Sequence, residues 1–571
     1  MALVYNQAAP LRHRVRRGSG ARFAGTLLWL ALSGLFALEL IEPSRGFAQP
    51  DPEAGLQAQV GACLGREDPQ CAQPLLTQWQ ALQPTSPILA YSRGVVAFLS
   101  GRLEAARSDL QSAAGAAQAP SQLREDAQRY LDLLESTAEV HRGAEPHPMV
   151  HGRVNVWLRP GPDQVMLPYL QRVLEKALPA LDAAFGPVGT TPIDVYIYPR
   201  SEDLARVSGL TVEQIRTSGT IALCKYNRVM LTSPADLVFG YAWADTLNHE
   251  LVHWYVIKRG GPQVPVWLHE GLARSFEGLW RGRPAEQFDM TERETLAKAR
   301  KKGRFITLQK MSPSMALLPS QDDTQLAFAE VHHAVTWLLT RGSSGSAPPR
   351  AEMTAAQAGQ LVGLFAAGLT ETQVIQRFSG LQVAAFQSQW KRDLHKLELG
   401  DSGTSSANRV PLLVFRNANT PAAGSHNWGE QARKYAELGD RLAVLHRPQA
   451  AAVEYRKAIA SGGGQDDPLL VARLVRVLLD LGRHAQAAEY LTPALQTWPQ
   501  HAPLHVLQAR LEAALSHWQA ALDASDDAAW INPFDPSVHG VAAQAYAALG
   551  MQGDAAAAEQ RQQKVATMAT L

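Results

Sequence analysis

Two short segments, His249-Glu250-Leu251-Val252-His253 and Trp267-Leu268-His269-Glu270-Gly271-Leu272-Ala273, restrict what this chain can fold into more than any other part of it. Apolar spacing at Ala242, Leu247, Leu251, Trp254 and Ile257 predicts a helix through the first segment, with Lys258 and Arg259 where cations favour a helix C-terminus. Gly260-Gly261-Pro262 then stops it. A brief connection through Val264-Pro265 leads to a second helical stretch, from about Trp267 to Trp280, ended by Gly282 and Pro284. Helices joined by so short a loop pack antiparallel, which returns Glu270 toward the two histidines across the 16 residues from Trp254 to His269. Residues i and i+4 of a helix share a face, so the His249 and His253 imidazoles can grip one Zn²⁺ while Glu250, one position round, addresses a water on it. Three protein ligands and a water compose a catalytic zinc site rather than a closed structural one. The competing reading is an amphipathic helix whose histidines are solvated or hydrogen-bonded in a core.

The paired motifs resemble those of the gluzincins, in particular the peptidase MA-like family, marked by HExxH followed by a W-L-x-E-G-x-A helix. The matching residues are His249, Glu250 and His253, then Trp267, Leu268, Glu270, Gly271 and Ala273. The resemblance implies that His249, His253 and Glu270 bind Zn²⁺ and that Glu250 is the general base. Neutral imidazoles and one carboxylate leave the ion a Lewis acid, so the pKa of its water falls to about 7. Glu250 then takes a proton, hydroxide attacks a carbonyl, and Glu250 hands the proton to the departing amine. The expected activity is therefore that of a zinc metallopeptidase acting on peptides or proteins.

The resemblance extends from about Met149 to Leu399 and implies an α+β zincin-like domain, a small sheet with active-site helices. Arg153 to Leu158, Ile193 to Tyr198, Ser218 to Cys224 and Arg228 to Thr232 read as short strands, with a helical stretch from about Gln164 to Phe185. By the same likeness Gly219 to Leu223 is a candidate edge strand for an extended substrate; a plain hairpin edge or interior strand is the alternative. Phe328 and His332 stand where family members often carry Tyr and Trp, so the usual oxyanion donor is missing; His332 or His333, of which only one can face the cleft, is the candidate replacement, with a surface or packing histidine as the alternative for each. Metal-bound His normally donates its second N–H to a carboxylate or carbonyl; Glu277 is the candidate partner, since Arg274 is no acid, with a solvated helix surface as the alternative. His269 is rotated about 100° from Glu270 along the helix and is read as non-ligating.

Arg12, Arg14, Arg16, Arg17 and Arg22 precede an apolar run from Phe23 to Leu38, and Gly46-Phe47-Ala48 offers small residues for cleavage. Residues 1–48 are thus read as a signal peptide, or as an N-terminal membrane anchor, and the chain as exported to a periplasmic or extracellular space. Cys63 and Cys71 are close enough in sequence to close a small loop under oxidising conditions, and Cys224 has no evident partner. Lys and Arg total 54 against 53 Asp and Glu, a net +1 with no basic block beyond the leader, which argues against a nucleic-acid partner.

A chain of 571 residues implies several domains. Pro468, Pro503 and Pro536 recur at spacings of 35 and 33, and Tyr455 and Tyr490 lie 35 apart. With Leu481-Gly482 and Leu549-Gly550 between paired helical patterns, this resembles tetratricopeptide repeats, a solenoid able to bind a peptide or partner protein, or serving only as a spacer. Ala90 to Ala106 has the same look. The expected layout is a leader over 1–48, a tetratricopeptide-like segment over 49–145, the metallopeptidase domain over 146–400, a linker over 401–427 and a repeat solenoid over 428–571. Two functional classes follow: an exported zinc peptidase whose repeats recruit substrate or partner, or a repeat scaffold whose metalloprotease-like domain no longer turns over.

Overall fold

The computed structural model describes residues 52–568 except 190, 284, 286, 313, 314, 316, 317, 319, 342–350, 400–412, 414, 417–427 and 464–466. The expected leader and most of the expected linker therefore lie outside the described residues. No described helix is long and apolar enough to cross a membrane.

Five helices come first: α1 (Pro52–Gly65), α2 (Pro69–Leu82), α3 (Pro87–Leu99), α4 (Leu103–Gly115) and α5 (Ser121–Val140). A disulfide between Cys63 and Cys71 closes the turn from α1 to α2, where Asp68 caps α2 by accepting from the Gln70 and Cys71 amides. A five-stranded mixed sheet follows, built from β1 (Glu145–Met149), β2 (Val154–Leu158), β3 (Ile193–Tyr198), β4 (Ala222–Lys225) and β5 (Arg228–Thr232) in the order β1-β2-β3-β5-β4. Strands β2, β3 and β5 are parallel, and β1 and β4 are antiparallel edges. The alternation of Val154, Val156 and Leu158, and of Ile193, Val195 and Ile197, buries one face in the apolar core shared with α6 (Leu167–Phe185), the crossover helix between β2 and β3.

Two strand expectations change. Glu145–Met149, with prolines at 146 and 148, pairs as edge strand β1; Pro is tolerated where one side of the strand needs no donor. The stretch read as a strand from Ser218 begins only at Ala222. After α7 (Ser201–Ser208), a capping box between Thr211 and Gln214 starts α8 (Val212–Ser218), and Gly219, at φ 69°, ends it in the left-handed conformation. The edge strand β4 thus holds only Ala222 and Leu223 of the expected substrate segment.

Helices α9 (Trp243–Gly260) and α10 (Val266–Phe276) carry the two motifs, followed by α11 (Met290–Lys301), α12 (Leu308–Met311), α13 (Gln321–Arg341), α14 (Ala351–Ala366), α15 (Glu371–Ser379) and α16 (Val383–Lys396). The chain ends in four helix pairs: α17 (Glu430–Val444) with α18 (Pro448–Ala458), α19 (Pro468–Asp480) with α20 (His484–Thr497), α21 (Ala502–Ala514) with α22 (Trp518–Ala529), and α23 (Pro536–Ala548) with α24 (Gln552–Met568). Pair starts at 430, 468, 502 and 536 reproduce the period of the sequence, so the chain carries helical repeats. Asp467 and Asp535 cap α19 and α23 just before their first-turn prolines.

The repeats are packed onto the sheet-bearing part. Val506, Ala528, Ala529, Val538 and Val565 join the same apolar core as Leu247 and Leu251 of α9. Trp243 donates its indole N–H to Ala529 O at 2.8 Å, Tyr241 N bonds Ile531 O at 3.0 Å, and Trp280 meets Trp530 edge-on at 4.7 Å. Arg172 forks onto Asp526 at 2.8 Å, but with 38 % of its side chain exposed the pair adds only about 0–1 kcal/mol. Burial of the tryptophans, at about 1.5–3 kcal/mol per large apolar side chain, decides the docking.

Candidate metal centre

Helix α9 runs fully buried from Trp243 to Ile257, and α10 returns beside it. What aligns the two is a latch the sequence did not reveal. Asn248, one residue before His249, donates its amide to Phe276 O at 2.7 Å and to Glu277 O at 2.9 Å at the end of α10. Trp280 Nε1 bonds Asp245 at 2.9 Å, one turn earlier on α9, and Arg281 pairs with the same carboxylate. Gly271 permits the other contact α10 needs. A Cβ there would lie 2.4 Å from Val335 Cγ2 and 2.7 Å from Val331 O, so only glycine lets α10 lie this close on α13.

With the helices so fixed, one ligand atom from each of His249, His253 and Glu270 lies within 4.8 Å of the others, and all three side chains are buried. Glu270 Oε2 stands 3.7 Å from His249 Nε2 and 3.5 Å from His253 Nε2. Zinc–ligand bonds of about 2.0–2.2 Å at tetrahedral angles require donors about 3.3 Å apart. The two carboxylate–imidazole separations come within a few tenths of an ångström of that spacing. The His249 Nε2 atom makes no hydrogen bond among the described residues, as expected of a donor reserved for a cation. Burial would raise the Glu270 carboxyl, but His253 and His249 outweigh it and hold it down at about 2.

Glu250 lies deep in the same place. Neither of its oxygens makes a full hydrogen bond among the described residues. Burial pushes its carboxyl up to about 8; the charge of Glu270 adds to this, while His249 and the approaching backbone of Cys224, on β4, oppose it. A cation on the three ligands would pull that value down again.

The outer partners of the imidazoles are both in place. His249 Nδ1 lies 3.2 Å from Glu277 Oε2, the carboxylate expected for that task. Glu277 is in turn held by Arg274 at 2.9 and 3.0 Å and by Arg283 at 2.8 Å, which keep it ionised well below the usual carboxylate range despite burial. His253 Nδ1 lies 3.4 Å from His269 Nδ1, so one ring donates to the other. Burial, with His253 beside it, lowers His269 to about 3 and keeps that ring neutral. His269 falls outside the group of three, and its ring backs that of His253.

His332 stands elsewhere than the sequence reading put it. Its Nδ1 lies 2.9 Å from Glu292 Oε1 and its Nε2 2.7 Å from Ala285 O. Glu292 is also 2.9 Å from Arg274. A ring committed at both nitrogens has none left for an oxyanion, and His332 instead ends a relay that begins at His249 and passes through Glu277, Arg274 and Glu292. His333 accepts the Trp390 indole N–H on Nδ1 at 2.9 Å, and its Nε2 lies 3.9 Å from Asp393.

No family model matches the chain, and no curated protein matches it. Among solved structures, TTC0263, a thermophilic TPR protein of Thermus thermophilus, is 23% identical over 23% of this chain and 72% of its own, with a TM-score of 0.22. The P58(IPK) TPR domain is 12% identical over 88% of this chain and 90% of its own, with a TM-score of 0.20. Yeast LTA4 hydrolase in complex with bestatin is 12% identical over 73% of this chain and 67% of its own, with a TM-score of 0.28. Likenesses at these TM-scores carry no argument about activity, and the functional reading rests on this chain's own geometry.

Proposed function

We propose that this chain is an exported, zinc-dependent metallopeptidase whose helical repeats bind substrate or a partner protein. The observation that carries the reading is the convergence of His249, His253 and Glu270 from two latched helices, with the Glu250 carboxylate buried beside them. When bound, Zn²⁺ supplies Lewis acidity, acidifying a water and polarising a carbonyl. Glu250 takes the proton of the attacking water and returns it to the leaving amine nitrogen. Glu277 and His269 hold the two imidazoles in the orientation that directs Nε2 inward. Strand β4 stands at the edge of the sheet and packs against α9, the position at which an extended peptide would add as a further strand.

A second reading is favoured by His332. With both its ring nitrogens occupied, the oxyanion donor expected of a working peptidase is not supplied by that residue, and the paired helices at both ends suit a protein-interaction scaffold. One experiment separates the two: zinc content of the purified mature chain, measured beside digestion of a broad peptide library. Zinc bound near one per chain with cleavage supports the hydrolase, and zinc bound with nothing cut supports the scaffold. In the first case Glu250→Gln retains zinc and loses about 10³-fold or more in rate, while His253→Ala loses the metal. Cleavage by Glu250→Gln at the native rate would overturn the general-base assignment.

A further inference from the structure

The turn closed by the Cys63–Cys71 disulfide does more than join α1 to α2. It is wedged between the β4–β5 hairpin and the C-terminal end of α9. The hairpin turns on Tyr226 and Asn227, both left-handed at φ 59° and 58°; Asn enters this conformation readily, whereas Tyr does so at a cost. Glu67, inside the disulfide loop, supplies the hold: its Oε1 accepts the Tyr226 amide at 2.9 Å and its Oε2 the Asn227 amide at 2.6 Å. Lys258, in the last turn of α9, bonds both Glu67 O and Asn227 Oδ1. The loop also lies flat against the stop of α9, since a Cβ at Gly65 would meet Pro262 Cγ at 2.8 Å.

These contacts place three pieces in one joint: the hairpin that contains edge strand β4, the helix that carries His249, Glu250 and His253, and a covalently closed loop from the N-terminal helices. We propose that Glu67 is a positioning residue that fixes β4 against α9, and thereby sets how the edge strand meets an extended peptide. The peptide half of this rests on the proposed hydrolase function; the clamp itself does not. Glu67 touches neither ligand nor reacting atom, so its effect falls on substrate pairing rather than on the chemical step.

The test uses the full oxidised chain and Glu67→Gln, whose amide keeps one acceptor and turns an NH₂ toward the second backbone amide. Hydrogen exchange over Ala222–Arg228 is expected to quicken about tenfold or more, while exchange in α19 and zinc affinity by chelator competition stay within about twofold. In the same variant KM for extended peptides rises about tenfold with kcat nearly unchanged. Glu67→Asp, one methylene too short to reach both amides, gives intermediate values and serves if the Gln variant folds poorly. Unchanged exchange at β4 overturns the clamp, and faster exchange without a rise in KM overturns its role in substrate pairing. If the native chain holds zinc but cuts no peptide, the hydrolase reading falls on that result alone, and the exchange measurement still decides whether Glu67 fixes β4.

Discussion

Gly271 gives the strictest test of how the centre is built, because it follows Glu270 directly and lies against α13. The added methyl of Gly271→Ala would sit 2.4 Å from Val335 Cγ2, which can rotate away, and 2.7 Å from Val331 O, which cannot. Ordinary contact begins at 3.4 Å, so α10 must retreat by about 0.7 Å, carrying Glu270 with it. The fold itself loses little: overpacking costs about 1–3 kcal/mol, offset by about 0.8–1 kcal/mol gained from replacing helical Gly with Ala. The metal loses more, because zinc ligands tolerate only about 0.2 Å of misplacement. Zinc affinity is expected to fall about 10–100-fold, the range seen when ligand-supporting contacts are disturbed. Gly363→Ala on α14, where nothing lies within 4 Å, is the control and should stabilise slightly with unchanged zinc binding. Chelator competition and thermal unfolding, each with and without zinc, give both quantities. A folded Gly271→Ala chain that binds zinc within twofold of native would refute the claim that this crossing sets the ligand geometry.

Two further outcomes follow from the relay behind His249. Glu277→Gln keeps the shape of the partner but removes the charge that Arg274, Arg283 and His249 share, and should weaken zinc about 10–100-fold in the same competition assay. Glu292 is held down at about 2, with Arg274 and His332 outweighing the burial that would raise it. A depressed folded value means its contribution is complete above the unfolded value of about 4.3 and fades as pH falls toward about 2. Urea unfolding at pH 7, 4 and 2.5 should therefore show native stability dropping across that window, and a shallower drop in Glu292→Gln.

How much of this was legible differs by scale. The helices bearing the two motifs, their antiparallel return and the period of the repeats follow from local spacing and from the stops at Gly260-Gly261-Pro262, so they read directly from the chain. Glu277 was legible for the same reason, since metal-bound imidazoles need an outer acceptor and it was the acid within reach. Strand β1 was not, because Pro146 and Pro148 argue against a strand until one knows it lies at an edge. Asn248 and the His332 placement were invisible for a different cause. The bonds from Asn248 to Phe276 and from His332 to Glu292 span 28 and 40 residues, and nothing in helical periodicity selects one distant partner over another. His269 shows the limit of reasoning by rotation: it lies outside the His249–His253–Glu270 group, but only the packed pair puts it against His253.

The same contacts bear on how the repeats and the centre relate. Had the solenoid been tethered only by a flexible segment, its ligands could have no bearing on the metal beyond raising local concentration. Instead the first residue of α9, Trp243, bonds Ala529 at the end of α22, and Gly240 lies where any Cβ would meet Ile531 O at 2.3 Å. The opposite end of α9 is held through Lys258 by the disulfide-closed loop of the N-terminal helices. The helix that presents His249, Glu250 and His253 is thus held at one end by the last repeats and at the other by the N-terminal helices. On this geometry the last repeats, the N-terminal helices and the His249–His253–Glu270 cluster are packed together through α9.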